Sequence, residues 1–196
     1  GPLEDRGYLR GRGGEMKAGI GLAATCAGVF LALLLQQALP PIDAFQGARF
    51  VFVPLIFCLA AMALPFPLML AAAFFTGFLC DLMYLHVVEG RVEIALGCSI
   101  VFFVIYGSIA NGLRPSYLQG HWWPLVPLAG GGTAAYLLMQ FVLISLRRQG
   151  FEFDPAVLWR VLAPGCIAAI FAPILYAAVK PFGAMLSPGS ETGRNY

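Results

Sequence analysis

From Ala18 to Leu39 the chain runs 22 residues without one charged side chain. No other feature limits the fold so strongly. A helix crossing a hydrocarbon layer of about 30 Å needs roughly 20 apolar residues, whereas the core of a signal peptide has only about 7 to 15. The run therefore reads as a spanning helix retained in the mature protein. Composition agrees: 60% of the 196 residues are hydrophobic and 11% are charged, against about 25% charged in a soluble domain. The mean hydropathy is +0.81, and an integral membrane protein is expected. A net charge of +2 offers no basic face for nucleic acid. The five cysteines, Cys26, Cys58, Cys80, Cys98 and Cys166, lie in apolar runs without CxxC spacing. They read as small buried hydrophobes, with neither a disulfide framework nor a zinc site expected.

Proline, glycine and charge divide the rest into six candidate spans, predicting an all-α integral membrane protein built as a six-helix bundle. The spans are Ala18 to Leu39, Phe50 to Leu64, Phe66 to Leu85, Val92 to Leu113, Trp122 to Leu146 and Pro155 to Lys180. "LPFP" between the second and third leaves room only for a tight hairpin. Asp154 suits the N-cap of the last span and Pro155 its first position, while Pro164 and Pro173 predict a bend, or a break near Ala163–Gly165. Gly77, Gly130 and Gly131 are expected to let helices approach closely. "GPLEDRGYLRGRGGE" opens like the scar of a cleaved tag, so residues 1–15 are expected to be tag or disordered linker and Met16 the natural start. Residues 16–186 then form the membrane domain, and residues 187–196 a disordered tail.

The alternation of six helices fixes relative depth whichever way the protein faces. Asp81 lies four residues before the end of the third span, roughly 6 Å inside the boundary, and Arg160 lies five residues into the sixth, which starts on the same side. Glu93, Gln140, Gln36 and Gln37 fall on that side too. Ionisable groups within a span are costly, about 2.5 to 3.5 kcal/mol at the centre, and tend to find partners. One reading is a polar cavity or partner site with Asp81 and Arg160 as paired charges. The other is interfacial snorkelling, which suits Glu93 better than the short Asp81.

No catalytic constellation stands out. Asp81 is the one aspartate inside a predicted span, His86 and His121 lie on opposite sides, and no HExxH or phosphate-binding glycine motif occurs. The expectation is a non-enzyme without cofactor or metal.

Two segments resemble a known family. "AAFFTGFLCDLMYL" is similar to the glycine-rich third helix, ending in G-x-x-x-D-L, of the MreD-type rod-shape-determining membrane proteins of bacteria. Gly77, Asp81 and Leu82 hold the motif, and Ala95 and Leu96 start the next helix. "FEFDPAVLWRVLAPGCIAAIFAPILY" resembles that family's late segment, in which a short loop enters the final helix through an aromatic residue and later a proline. The likeness covers most of Met16 to Pro181; the chain departs from the pattern in its loop "HVVEGRVE" and in lacking a glycine soon after "DL". It implies a multi-pass protein of the bacterial inner membrane with both termini cytoplasmic, binding the single-span scaffold MreC. Through MreC it would join the peptidoglycan polymerase and transpeptidase of the elongation complex in cell-shape control. The family also resembles in architecture the substrate-binding S-components of energy-coupling-factor vitamin transporters, which supplies the alternative function.

Overall fold

The computed structural model describes residues 2–38, 51–83, 87–88, 91–92, 97–148 and 155–186. These form helices α1 (Pro2–Ala38), α2 (Val53–Ala63), α3 (Phe66–Met83), α4 (Cys98–Gly112), α5 (Arg114–Leu118), α6 (Leu125–Arg148) and α7 (Pro155–Leu186). A two-residue antiparallel ribbon, β1 (Val87–Val88) with β2 (Arg91–Val92), lies between α3 and α4. The end of the bundle where α1 finishes and α2 begins is called distal here, and the other end proximal.

Local chemistry sets the boundaries. Leu64 is extended (ψ 148°) because the residue before a proline is driven out of the helical region, and this stops α2. The Pro65 carbonyl then accepts the amides of Leu68 and Met69 and opens α3. Two residues thus separate the helices, the tight hairpin that "LPFP" predicts. At the start of α4, Gly97 adopts φ +104°, a left-handed conformation that side chains rarely take.

Among the described residues four helices are long and apolar enough to cross a membrane: Ala18–Ala38, Phe66–Met83, Leu125–Leu146 and Leu158–Lys180, of 21, 18, 22 and 23 residues. The two shorter apolar helices, α2 and α4, have 11 and 15 residues, lengths of about 16 and 22 Å. Large apolar side chains face outward from five of these six helices, among them Leu31, Phe74, Val101, Leu138 and Ile170. A soluble bundle would turn such residues inward; here they suit hydrocarbon, and the protein reads as membrane-embedded. At the centre stands α2, in contact with every other helix and with eight of its eleven residues buried. Its Phe57 meets Phe103 edge-on, with ring centroids 5.0 Å apart.

Helix α1 is described from Pro2 onward. Two expectations are corrected. The fourth helix begins at Cys98, six residues later than Val92, because Arg91 and Val92 pair with the strand before them. Helix α7 runs through Ala163–Gly165 without a break; Pro164 is buried there and Pro173 half-buried, both carried within a helix held along its length by α6.

Candidate functional site

The distal end of α3 is where the sequence places its chemistry. Met69, Ala72, Ala73, Thr76, Gly77, Cys80 and Asp81 form the buried stripe of this helix, spaced by three and four as one face of a helix requires. Gly77 is the point of closest approach to α4: a Cβ there would lie 2.6 Å from the Ile100 backbone nitrogen. With the backbones this close, the side chain one turn further on reaches the start of the neighbouring helix. Asp81 Oδ2 accepts the Gly97 amide at 2.7 Å, and the residue is only 7% exposed. Gly97 precedes the first residue of α4, so the carboxylate also faces the positive end of that helix dipole. A hydrogen bond to a charged group contributes about 1.5 to 3 kcal/mol. Asp81 therefore closes the α3–α4 junction and satisfies an amide that the left-handed turn at Gly97 turns inward.

Other polar groups gather near this junction. Gln37, at the end of α1, donates through Nε2 to Met83 Sδ at 2.9 Å, tying α1 to α3 two residues beyond Asp81. Gln140 Nε2 donates to the Tyr136 hydroxyl at 2.8 Å, and Tyr136 is within hydrogen-bonding reach of the Cys80 thiol. The Tyr136 ring also packs on Phe102 and Phe103, both with centroids 5.4 Å away. Gln36 is half-buried on α1 beside Gln37. Side chains of α1 and α3, and of α3 and α6, thus meet in pairs towards this end of the bundle.

Arg160 is placed differently. It is exposed on α7, and α7 packs on α6, α2 and α1 without touching α3. The packing separates the charges expected to pair, and Asp81 is turned to a backbone amide. Glu93 lies outside the described residues.

Two polar contacts that sequence reasoning did not assign lie elsewhere, Asn111 at the proximal end and Tyr106 in the middle of α4. Asn111 Nδ2 donates to the carbonyls of Ala61 and Leu64, at 2.7 and 2.9 Å, closing the C-terminus of α2 from α4. Tyr106 is buried and its hydroxyl donates to the Leu128 carbonyl at 3.0 Å; its ring occupies the place a Gly132 side chain would need. One signal was available for Asn111, an amide isolated at the end of an apolar helix.

The glycines of α6 divide by rotation. A Cβ on Gly130 would lie 3.0 Å from the Gly165 carbonyl oxygen, and one on Gly165 would lie 3.0 Å from that of Gly130, marking the crossing of α6 and α7. Gly131, also expected to pack, is exposed with nothing within 4 Å. One residue is a turn of about 100° on a helix, so Gly130 and Gly132 face neighbours while Gly131 faces outward.

Together these features define an all-helical, membrane-embedded bundle with a buried carboxylate at one end. Among the described residues no group of three His, Cys, Asp or Glu side chains could hold a metal ion. A comparison of the chain with known protein families, with curated proteins and with solved structures returned no match.

Proposed function

We propose that this chain is a non-enzymatic scaffold of the bacterial cell-elongation machinery, an MreD-type protein that binds an MreC-type single-span partner in the inner membrane. Through that partner it would support the polymerase and transpeptidase that insert peptidoglycan. The observation that carries the reading is the shared task of the two motif residues, Gly77 and Asp81. Gly77 admits the α4 backbone and Asp81 holds the Gly97 amide. G-x-x-x-D-L is then a signature of a helix junction, and its aspartate has a structural duty that calls for no substrate. In this reading α2 and α4 complete six crossings. Because α2 is enclosed by protein, its short length leaves no backbone facing lipid. Both termini then lie in the cytoplasm.

Co-purification from the native membrane followed by mass spectrometry tests the proposal. Recovery of a single-span protein with a periplasmic coiled coil, together with peptidoglycan-synthesising enzymes, is the expected result. Recovery of an ATPase module instead would displace the scaffold reading in favour of an S-component. That second reading draws on the distal polar groups of α1, α3 and α6, and it requires saturable binding of a vitamin to the purified protein.

A further inference from the structure

The distal end of α3 is held from two sides, and the two holds differ in chemistry. Towards α4, the Asp81 carboxylate accepts the Gly97 amide at 2.7 Å. Towards α1, the acceptor is a sulfur: Gln37 Nε2 donates to Met83 Sδ at 2.9 Å. A thioether accepts hydrogen bonds only weakly, so this second hold is the looser of the two. It is also an acceptor that an oxidant can change.

The chain has six methionines, Met16, Met62, Met69, Met83, Met139 and Met185. Among those whose side chains are described, burial sorts them. Met62 and Met69 are 1% and 0% exposed in the core, and Met139 on α6 is packed, partly buried, against it. Met83 is the last residue of α3 and is half-buried, and its sulfur meets an exposed partner, Gln37, one residue from the end of α1. The apolar spans of both helices finish at this contact. An oxidant dissolved in water reaches such a sulfur without entering the core.

We infer that Met83 is an oxidation-sensitive clamp: a two-electron oxidant, hydrogen peroxide, converts it to the sulfoxide, whose oxygen takes over the Gln37 N–H and binds α1 to α3 more firmly. The sulfur lone pair attacks one peroxide oxygen; an S–O bond forms and the O–O bond breaks. The departing hydroxide takes the proton of the transferred oxygen and leaves as water, so the sulfur loses two electrons and the peroxide gains them. A strongly polar oxygen then stands where a weak acceptor stood. Gln37 is exposed, and its flexible side chain can retreat to make room for the added atom. In a core the same change disrupts apolar packing; here the new oxygen emerges beside a donor at the edge of the bundle. The inference needs only the contact between these two side chains, and it holds for a scaffold and an S-component alike.

Brief treatment of the full chain in detergent with hydrogen peroxide, followed by peptide mass spectrometry and amide hydrogen exchange, tests this. Met83 should gain one oxygen about tenfold faster than Met62 and Met69, since oxidation follows exposure. In the oxidised protein the amides of the last turn of α1 should exchange about threefold more slowly, the effect of strengthening one neutral hydrogen bond. Met83→Leu should abolish that slowing, and Gln37→Leu should leave Met83 oxidised without it. Should Gln37→Leu fail to fold, Gln37→Glu keeps the length of the side chain, removes the donor and should behave in the same way. Oxidation of Met83 no faster than that of the core methionines would overturn the site. Exchange at the end of α1 that is unchanged or faster after oxidation, or slowing that persists without the Gln37 donor, would overturn the clamp.

Discussion

At the scale of single residues, Asp81 shows how a costly group is retained in an apolar helix. Its carboxylate is matched by a backbone amide and a helix dipole, so it needs no cation. Asp81→Leu should destabilise the protein by about 2 to 3 kcal/mol, because the Gly97 amide loses its acceptor in a buried setting. Asp81→Asn keeps an acceptor oxygen and should cost less. Thermal unfolding of both variants in one detergent checks the order; a leucine variant as stable as the parent would dissolve the argument. Asn111 teaches a related lesson, since its partners are carbonyls some 50 residues back, which no pairing of charges reveals. Tyr117, outside the long apolar helices, adds a pH dependence. Burial first, and then the nearby Tyr176, raise its pKa above the ordinary 10.0. The folded state therefore holds this proton where the unfolded chain releases it. The stabilisation is complete below pH 10.0 and is lost as pH rises through the folded value. Unfolding followed from neutral pH upward should show stability falling above that point, and Tyr117→Phe should flatten the fall.

At the scale of helices, the packing is decided by which glycines face a neighbour. Gly77→Ala pushes a methyl into the Ile100 backbone, which cannot move aside as a side chain can, and should cost about 1 to 3 kcal/mol. Gly131→Ala meets nothing and should be neutral or stabilise by up to about 1 kcal/mol, the difference in helix propensity. Comparing the two variants in one unfolding assay checks this, and equal effects would refute the assignment of faces. The sequence made both residues candidates because composition marks a small residue without its orientation. The start of α4 was misread for a similar reason. Val92 extends an apolar run and fits a span by hydropathy, but its pairing with Val87 is a contact between residues that local pattern does not join.

At the scale of the whole molecule, six crossings would place the α4–α6 connection on one side of the membrane and the α3–α4 and α6–α7 connections on the other. Cysteines introduced at Ser116, Glu89 and Gly150 and treated with an impermeant thiol reagent in intact cells should therefore divide, Ser116→Cys protected and the other two labelled. Labelling of all three from outside would exclude this topology. That the chain is helical and membrane-embedded was legible in the sequence, because hydropathy and helix length are properties of a contiguous run. The tight α2–α3 hairpin was legible too, since proline restricts its own neighbours. The parity of the helices brought Asp81, Gln37 and Gln140 towards one end, and the structure places all three there. Tertiary structure alone decided which of these groups meet. Arg160 shares their depth but stands on a helix that does not border α3, because the order of helices around the bundle is set by side-chain fit between elements distant in sequence. The same fit put the short α2 at the centre, in contact with every other helix. Depth along a helix is counted from the chain, whereas rotation and neighbours are settled only when the helices pack.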